Sequence, residues 1–495
     1  MEQSGGAAKH AKPSSDAGAG AGADDSVDRI SELPDDVLVL ILTRVRTRAA
    51  ARTSVLSRRW RRLWKLLPEL SFLGALEADR ARAVLEGHDA PLRGLLILSR
   101  FAAADSVAAL LRSAARRVTG QFFFMSEPRG SENEDAEGGA FVLPCFESAT
   151  RIFLQLGFLG LAAPAAGVFA RLTDLCLCNV QFQGPLAIGD SSSPRFPCLQ
   201  TLTIHDARGM ESLTVRSECL LEIELSRLSG LRHLTIVAPA LKQLRVGQCS
   251  SPHLPAANIS APQLKLLEIN LLNPCSVHLG NMEHEHLQRL GTLIFIVYAD
   301  GEDSRYNHAC QSILRRFKAV EDLSLSLFYH DDIDGYQYMM DDMTMFPEIT
   351  FLHLTIIASG HAFGASLFHV LRMCSGIRRL NLELVIPTKH GDYICPSGCI
   401  CGQQPNWEDE ALLLNHLQEV EITRFRGSEH ELPFVQQLFN WATALKRISI
   451  IFDYLVTESM AKELYQMVQS CSRPEICMEF YWYLGRNKVL YAPKD

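Results

Sequence analysis

The sequence predicts an α/β protein: a small helical module near the N-terminus, then a long solenoid of parallel strands joined by returning helices or turns. Two observations carry this expectation. Residues 28–64 hold two short amphipathic helical patterns in 37 residues, too few to make a sturdy domain alone. Beyond residue 150 the pattern apolar-x-x-apolar-x-apolar recurs twelve times, and most intervals are 21 to 30 residues. One such coil cannot bury its own apolar face, so the coils must stack. With 495 residues and 47% hydrophobic content, the chain can fill a large continuous core.

Residues 1–27 are rich in Ala, Gly, Ser and Asp and contain no apolar stretch, so they read as a disordered tail and not as a signal peptide. No uninterrupted apolar run reaches 18 residues, and no transmembrane helix is expected. The fourteen cysteines are scattered, several inside strand-like runs (Cys176, Cys178, Cys219, Cys477), and read as reduced thiols filling core volume. A cytoplasmic or nuclear location, or both, is the matching expectation.

The helical module can be read residue by residue. Pro34 suits the first position of a helix, and Asp35 and Asp36 follow where a helix N-terminus favours negative charge. Val37, Leu38, Ile41, Leu42 and Val45 then share one face at three- and four-residue steps. A second element, capped by Thr53 or Ser54, carries Leu56, Trp60, Leu63 and Trp64 on a stripe. The order DRIS-x-LPDDVL-x-x-IL…RTSVLSRRWRRLW resembles the F-box of the large plant F-box/leucine-rich-repeat family. The resemblance implies that residues 28–68 bind a Skp-type adaptor, and through it a cullin, by way of Leu33, Pro34, Val37, Leu38 and Ile41. Trp60 and Trp64 would then form the module's own core. The segment between the helices departs from the family pattern: Arg46 stands at the usual proline and Ala49 at the usual acidic residue, which predicts a looser turn.

From Arg44 to Lys65 there are nine basic residues and no acidic one, in a chain of net charge −8. Nucleic-acid binding or nuclear import would use such a run. The tryptophans sit at core spacing and the whole chain is acidic, so the run reads as a solvated face around a buried stripe. No nucleic-acid or membrane partner is expected.

Residues 69–150 are expected to be a helical linker leading into the repeats. Val107, Leu110, Leu111, Ala114 and Val118 mark a helix there, and QFFFM at 121–125 marks a first strand. The repeats proper fill 151–408. Their starts at 220, 231 and 241 lie too close for intervening helices and predict tight turns, whereas 305–318 and 365–374 fit returning helices. Residues 409–495 resemble the FBD-type C-terminal region of the same family and should continue the solenoid.

Few residues suggest chemistry. Cys395, Cys399 and Cys401, near His390, could supply a tetrahedral zinc site. The C-x3-C-x-C spacing is unusual and the fourth ligand a guess, so the sequence favours a plain cysteine-bearing loop, with no cofactor and no bound zinc. His284-Glu285-His286 reads as a solvated face. Asp332, Asp334 and Gly335 resemble part of a calcium loop, but His330 stands where its first carboxylate belongs and Asp341 where its last does. Nothing resembles a phosphate-binding loop or a nucleophile–base pair.

A non-catalytic substrate adaptor of an SCF-type ubiquitin ligase is therefore the leading expectation. A protein-binding scaffold uncoupled from any ligase is the alternative, kept open by the altered segment between the helices. The target is expected at Tyr336, Tyr338 and Met339, in the aromatic, Met-rich and acidic stretch from Phe328 to Met343.

Overall fold

The computed structural model describes residues 30, 32–74, 76–100, 102–127, 139–162, 167–189, 195–248, 256–270, 277–280, 286–385, 395, 398–404, 407–484 and 487–492. These divide into two compact units, one ending at Leu67 and one beginning at Pro68.

The first unit is helical. Helix α1 spans Asp35–Thr43, with Pro34 as its N-cap and Asp35 and Asp36 in its first turn. The expected second element is two: α2 at Thr47–Arg52 and α3 at Arg58–Leu63. The break falls at a 3-10 turn, Thr53–Val55, and the cap of α3 is Ser57, whose hydroxyl accepts from Trp60 N–H at 3.4 Å. Leu38, Leu42, Ala50, Leu63 and Leu67 form the core, all 3% exposed or less. Trp60 and Trp64 are only half-buried, so the tryptophan core expected from sequence is instead an aliphatic one with the indoles at its edge. The turn into α2 is not looser either. Arg46 has φ −59° and ψ 142°, a conformation a proline ring would impose, and its carbonyl accepts from the N–H groups of Ala49 and Ala50.

The second unit is a solenoid. Among the described residues its main sheet has 18 strands, and from Glu69–Phe72 to Cys477–Leu484 their pairings are parallel. The last strand, Asn487–Leu490, folds back antiparallel. Register keeps apolar residues in rows across the coils: Leu95, Phe122, Ile152, Leu175, Leu202 and Ile223 are successive partners, and the row continues through Leu244 to Leu380 and Ile448. These side chains are buried, and strands such as Thr201–Arg208, Glu222–Leu228 and Glu348–Ile357 alternate buried and half-exposed residues, so one face is core and the other is open.

Three expectations change here. Residues 69–150 are not a linker but the first coils, with strands Glu69–Phe72, Leu92–Arg100 and Val118–Glu127 in the main sheet and helices α4 (Ala78–Glu86) and α5 (Ala104–Ala115) returning between them. The triplet at 231–236 is not a main-sheet repeat. Its strand, His233–Val237, lies in a second, five-stranded parallel sheet with Leu186–Ile188, Ser212–Arg216, Ala256–Ser260 and Val277–Leu279. Intervals of 21 to 23 residues leave no room for a helix and two connections, so these coils return as strands. Asn179, Asp206, Arg227 and Gln248 hold equivalent left-handed positions (φ near +50°) at the main strands of successive coils, where the path bends toward the return strand. Lastly, the repeat read at Leu290/Leu293/Phe295 begins one step earlier: Leu287 pairs with Val320 and Leu290 with Leu323, and a bulge between Leu290 and Leu293 then sets Leu293 opposite Leu325.

Where intervals lengthen, helices return: α6 at Gly301–Leu314, α7 at Gly364–Met373, α8 at Glu431–Trp441 and α9 at Glu458–Cys471. The C-terminal region continues the same sheet through Glu419–Phe425, Arg447–Phe452 and Cys477–Leu484.

Candidate partner-binding surfaces and a thiol–imidazole cluster

The helical unit divides its apolar residues between two faces of α1. Leu38 is fully buried and Leu42 nearly so, whereas Val37, Ile41 and Val45 are 39%, 45% and 45% exposed. The single stripe read from the sequence is therefore two adjacent stripes. Leu38 holds the unit together and is withdrawn from any partner, a correction to the expected contact set. Pro34 is exposed and Leu33 half-buried at the head of the outer stripe, while Leu40, Val55 and Leu56 add further exposed apolar surface. Among the described residues, eight of the twenty large exposed apolar side chains fall between Ile30 and Leu66. Such concentration on a small unit marks a surface meant to be covered.

Arg59 on α3 positions the head of this surface. Its guanidinium pairs with the Asp35 carboxylate at 2.6 Å and donates to the carbonyl of Leu33. One planar fork thus fastens the Leu33–Pro34 corner to α3. The remaining arginines of the basic run are mostly exposed, as a solvated face would be.

On the solenoid, the stretch proposed to hold a target folds inward. Tyr338 pairs antiparallel with Tyr298, its ring lies 5.4 Å from that of Tyr298, and its hydroxyl sits 3.4 Å from Ser366 Oγ. Burial pushes the Tyr338 hydroxyl up to about 12. Met339 is 5% exposed and Met340 fully buried. The stretch has apolar space beneath it to fill, and its aromatics and methionines fill it. Tyr336 and Tyr338 are both half-buried, Tyr336 edge-on to His330. The His330 ring binds the Asp303 carboxylate at 2.8 Å, and Asp332 accepts from the Asp334 N–H in a local turn, so these groups hold the loop's own shape. His284 and Glu285 lie outside the described residues, and His286 begins a strand with its side chain exposed.

The open face of the main sheet is lined with charges paired between neighbouring coils: Arg245 with Glu268 (3.0 Å), Arg289 with Asp322 (2.8 Å) and Arg379 with Glu419 (3.0 Å). Toward the C-terminal end it dips into a depression of about 540 Å³ bordered by His353, Asn381, Glu383, Arg424, Tyr454 and Tyr483. Tyr454 is 69% and Tyr483 51% exposed, so aromatic surface there lies uncovered beside polar groups. Neither residue stood out in the sequence, because rim tyrosines obey no periodicity.

The three cysteines of the C-x3-C-x-C segment converge; His390 lies outside the described residues, and among the described residues the histidine that meets them is His361. Its Nδ1 is 3.3 Å from Cys395 Sγ and 3.5 Å from Cys399 Sγ, and Cys395 Sγ is 3.4 Å from Cys401 Sγ. The four donor atoms all lie within 4.8 Å of one another. Burial, and next the neighbouring thiols, push the Cys395 thiol up; burial does the same for Cys401.

Comparison with known proteins agrees with the helical unit and the coils. Residues 30–72 match the F-box domain family. Over 472 residues, 88% of this chain and 92% of the relative, the sequence is 28% identical to a putative F-box/FBD/LRR-repeat protein of Arabidopsis thaliana. An F-box/LRR-repeat protein of the same plant is 22% identical over 443 residues, 82% of this chain and 89% of its own. A putative F-box protein of that organism is 60% identical, but over 45 residues only, 9% of each chain. The chain thus carries an F-box at residues 30–72 and is similar over most of its length to F-box/FBD/LRR-repeat proteins. F-box domains generally bind Skp-type subunits.

Proposed function

We propose that this F-box/LRR chain is the substrate-recognition subunit of an SCF-type ubiquitin ligase, active in the cytoplasm, the nucleus or both. The outer stripe of the helical unit docks on a Skp-type subunit, which joins it to a cullin, and the solenoid holds the protein to be modified. No bond is made or broken on this chain. Its contribution is effective concentration: a target held on the solenoid presents its lysines to a ubiquitin-conjugating enzyme for longer than free diffusion would.

The observation that carries the reading is the splitting of α1. A helix in a self-sufficient unit would turn its apolar residues inward; here Val37, Ile41 and Val45 stay out while Leu38 and Leu42 complete the core. The proline-like geometry at Arg46 favours an intact docking module and weakens the case for an uncoupled scaffold. Target capture fits the depression near Tyr454 and Tyr483 better than the stretch where Tyr338 is half-buried and Met339 buried, because interfaces favour exposed aromatics.

Co-purification tests the coupling. The intact chain should bring down a Skp-type subunit, and the Leu33→Ala/Pro34→Ala variant should not, while its solenoid stays folded. Equal recovery by both would remove the outer stripe from the proposed interface.

A further inference from the structure

Two regions far apart in sequence supply four metal-binding atoms to one place. The first is the turn after strand Glu348–Ile357. Ser359 and Gly360 take left-handed backbone (φ +46° and +82°), and His361 N–H closes the turn on the Ala358 carbonyl at 2.9 Å. The second is the segment around Cys395, Cys399 and Cys401, in the 40-residue interval between the repeats that start at 377 and 417. Gly398 (φ +91°) turns the chain there, and Cys399 caps the 3-10 helix Ile400–Gln403 that carries Cys401. That short helix lets two cysteines separated by one residue face the same point.

The imidazole is prepared as a ligand. Its Nε2 lies 3.3 Å from the Asp331 carbonyl, an acceptor only, so Nε2 carries the proton and Nδ1 presents its lone pair to the sulfurs. His361 is 2% and Cys401 5% exposed. Ligand bonds of about 2.3 Å to sulfur and about 2.1 Å to nitrogen at tetrahedral angles would set donor atoms roughly 3.5 to 3.8 Å apart; the His361–Cys395, His361–Cys399 and Cys395–Cys401 separations are 3.3, 3.5 and 3.4 Å.

We propose that His361, Cys395, Cys399 and Cys401 form a structural zinc site. Three cysteines and one histidine complete a tetrahedron with no open position, the arrangement of a structural rather than a catalytic centre. On binding, the three thiols release their protons to solvent and bond as thiolates; nothing is oxidised or reduced. The ion fastens the longest inter-repeat connection to the preceding coil. Through the Nε2 link to Asp331 it also steadies the stretch from Phe328 to Met343. Farther along the same connection Trp407 packs edge-on to Trp441 at 5.8 Å, so the segment is held by an aromatic anchor on one side and by the ion on the other. This reverses the expectation of an unmetallated loop, which rested on the unusual C-x3-C-x-C spacing and on an unknown fourth ligand.

The test is the zinc content of the intact chain, purified under reducing conditions from zinc-supplemented cells and dialysed against a weak chelator. One equivalent per chain is expected, reduced at least tenfold in Cys399→Ser/Cys401→Ser. The exposed Cys198→Ser variant should keep its zinc, and His361→Cys should retain it through a fourth thiolate. Removing the ion with a strong chelator should speed backbone hydrogen exchange in 329–343 and 398–404 with little change near Leu202 or Ile223. A folded wild-type chain that takes up no zinc when the ion alone is added under reducing conditions would overturn the proposal. So would full zinc retention in the double serine variant, or thiol counts two short with no metal present, the sign of a disulfide instead.

Discussion

Val37, Leu38 and Ile41 lie within one turn and a quarter of α1, yet Val37 and Ile41 face out and Leu38 faces the core, a division that a pair of variants can separate. Val37→Ala/Ile41→Ala removes side chains that are 39% and 45% exposed in the free chain. Full burial of a large aliphatic side chain is worth about 1.5 to 3 kcal/mol, so covering these remaining fractions, less what alanine retains, contributes about 1 to 2 kcal/mol to docking. Binding of a Skp-type subunit should weaken roughly 5- to 30-fold at about 1.4 kcal/mol per tenfold. The fold should barely respond. Leu38→Ala instead opens a cavity at a fully buried position, at a cost of about 2 to 5 kcal/mol, which a core of five aliphatic residues cannot absorb. Calorimetric titration reads the first effect, and hydrogen exchange across residues 35–67 reads the second. Unchanged affinity in the double variant, or unchanged exchange in Leu38→Ala, would refute the division of the helix into an inner and an outer stripe.

Other outcomes follow from the same geometry. Arg59→Ala should loosen the Leu33–Pro34 corner and weaken docking, and Arg59→Lys should not restore it, because one ammonium cannot serve both Asp35 and the Leu33 carbonyl; titration of the two variants settles this. Arg46→Pro should stabilise the helical unit by about 0.4 to 1 kcal/mol, seen as a higher denaturant midpoint for residues 35–67. Replacing Met339 by Ala should cost about 2 to 5 kcal/mol of solenoid stability, whereas Tyr336→Ala should leave the melting temperature nearly unchanged. Tyr454→Ala/Tyr483→Ala should preserve folding and reduce recovery of the bound target in cross-linking, with normal recovery counting against the depression as the target site.

Much of the architecture was legible in the sequence because it is repetitive. The triplets at Leu175/Leu177, Leu202/Ile204 and Leu380/Leu382 name the buried rows of the main sheet directly. Less legible was whatever depended on a partner distant in the chain. Periodicity placed Val37, Leu38, Ile41 and Leu42 together, but only the positions of Ala50, Leu63 and Leu67 decide which of them are covered. The triplet at Leu231/Leu234/Ile236 has the pattern of a main-sheet strand, and a back-sheet strand buries its residues with the same alternation. Tyr338 and Met339 have an interface composition, yet that composition equally suits a loop that covers its own solenoid. His361 stands 34 residues before Cys395, and no spacing rule links a turn in one coil to a connection after the next.

The most direct measurement of the central claim is the assembly of the unmodified chain with a purified Skp-type subunit and a cullin, followed by light scattering on a sizing column. A single species with the mass of one copy of each is expected, losing this chain alone when Val37 and Ile41 are replaced by Asp. A chain that elutes free of the Skp–cullin pair at micromolar concentration, with residues 35–67 folded, would contradict it.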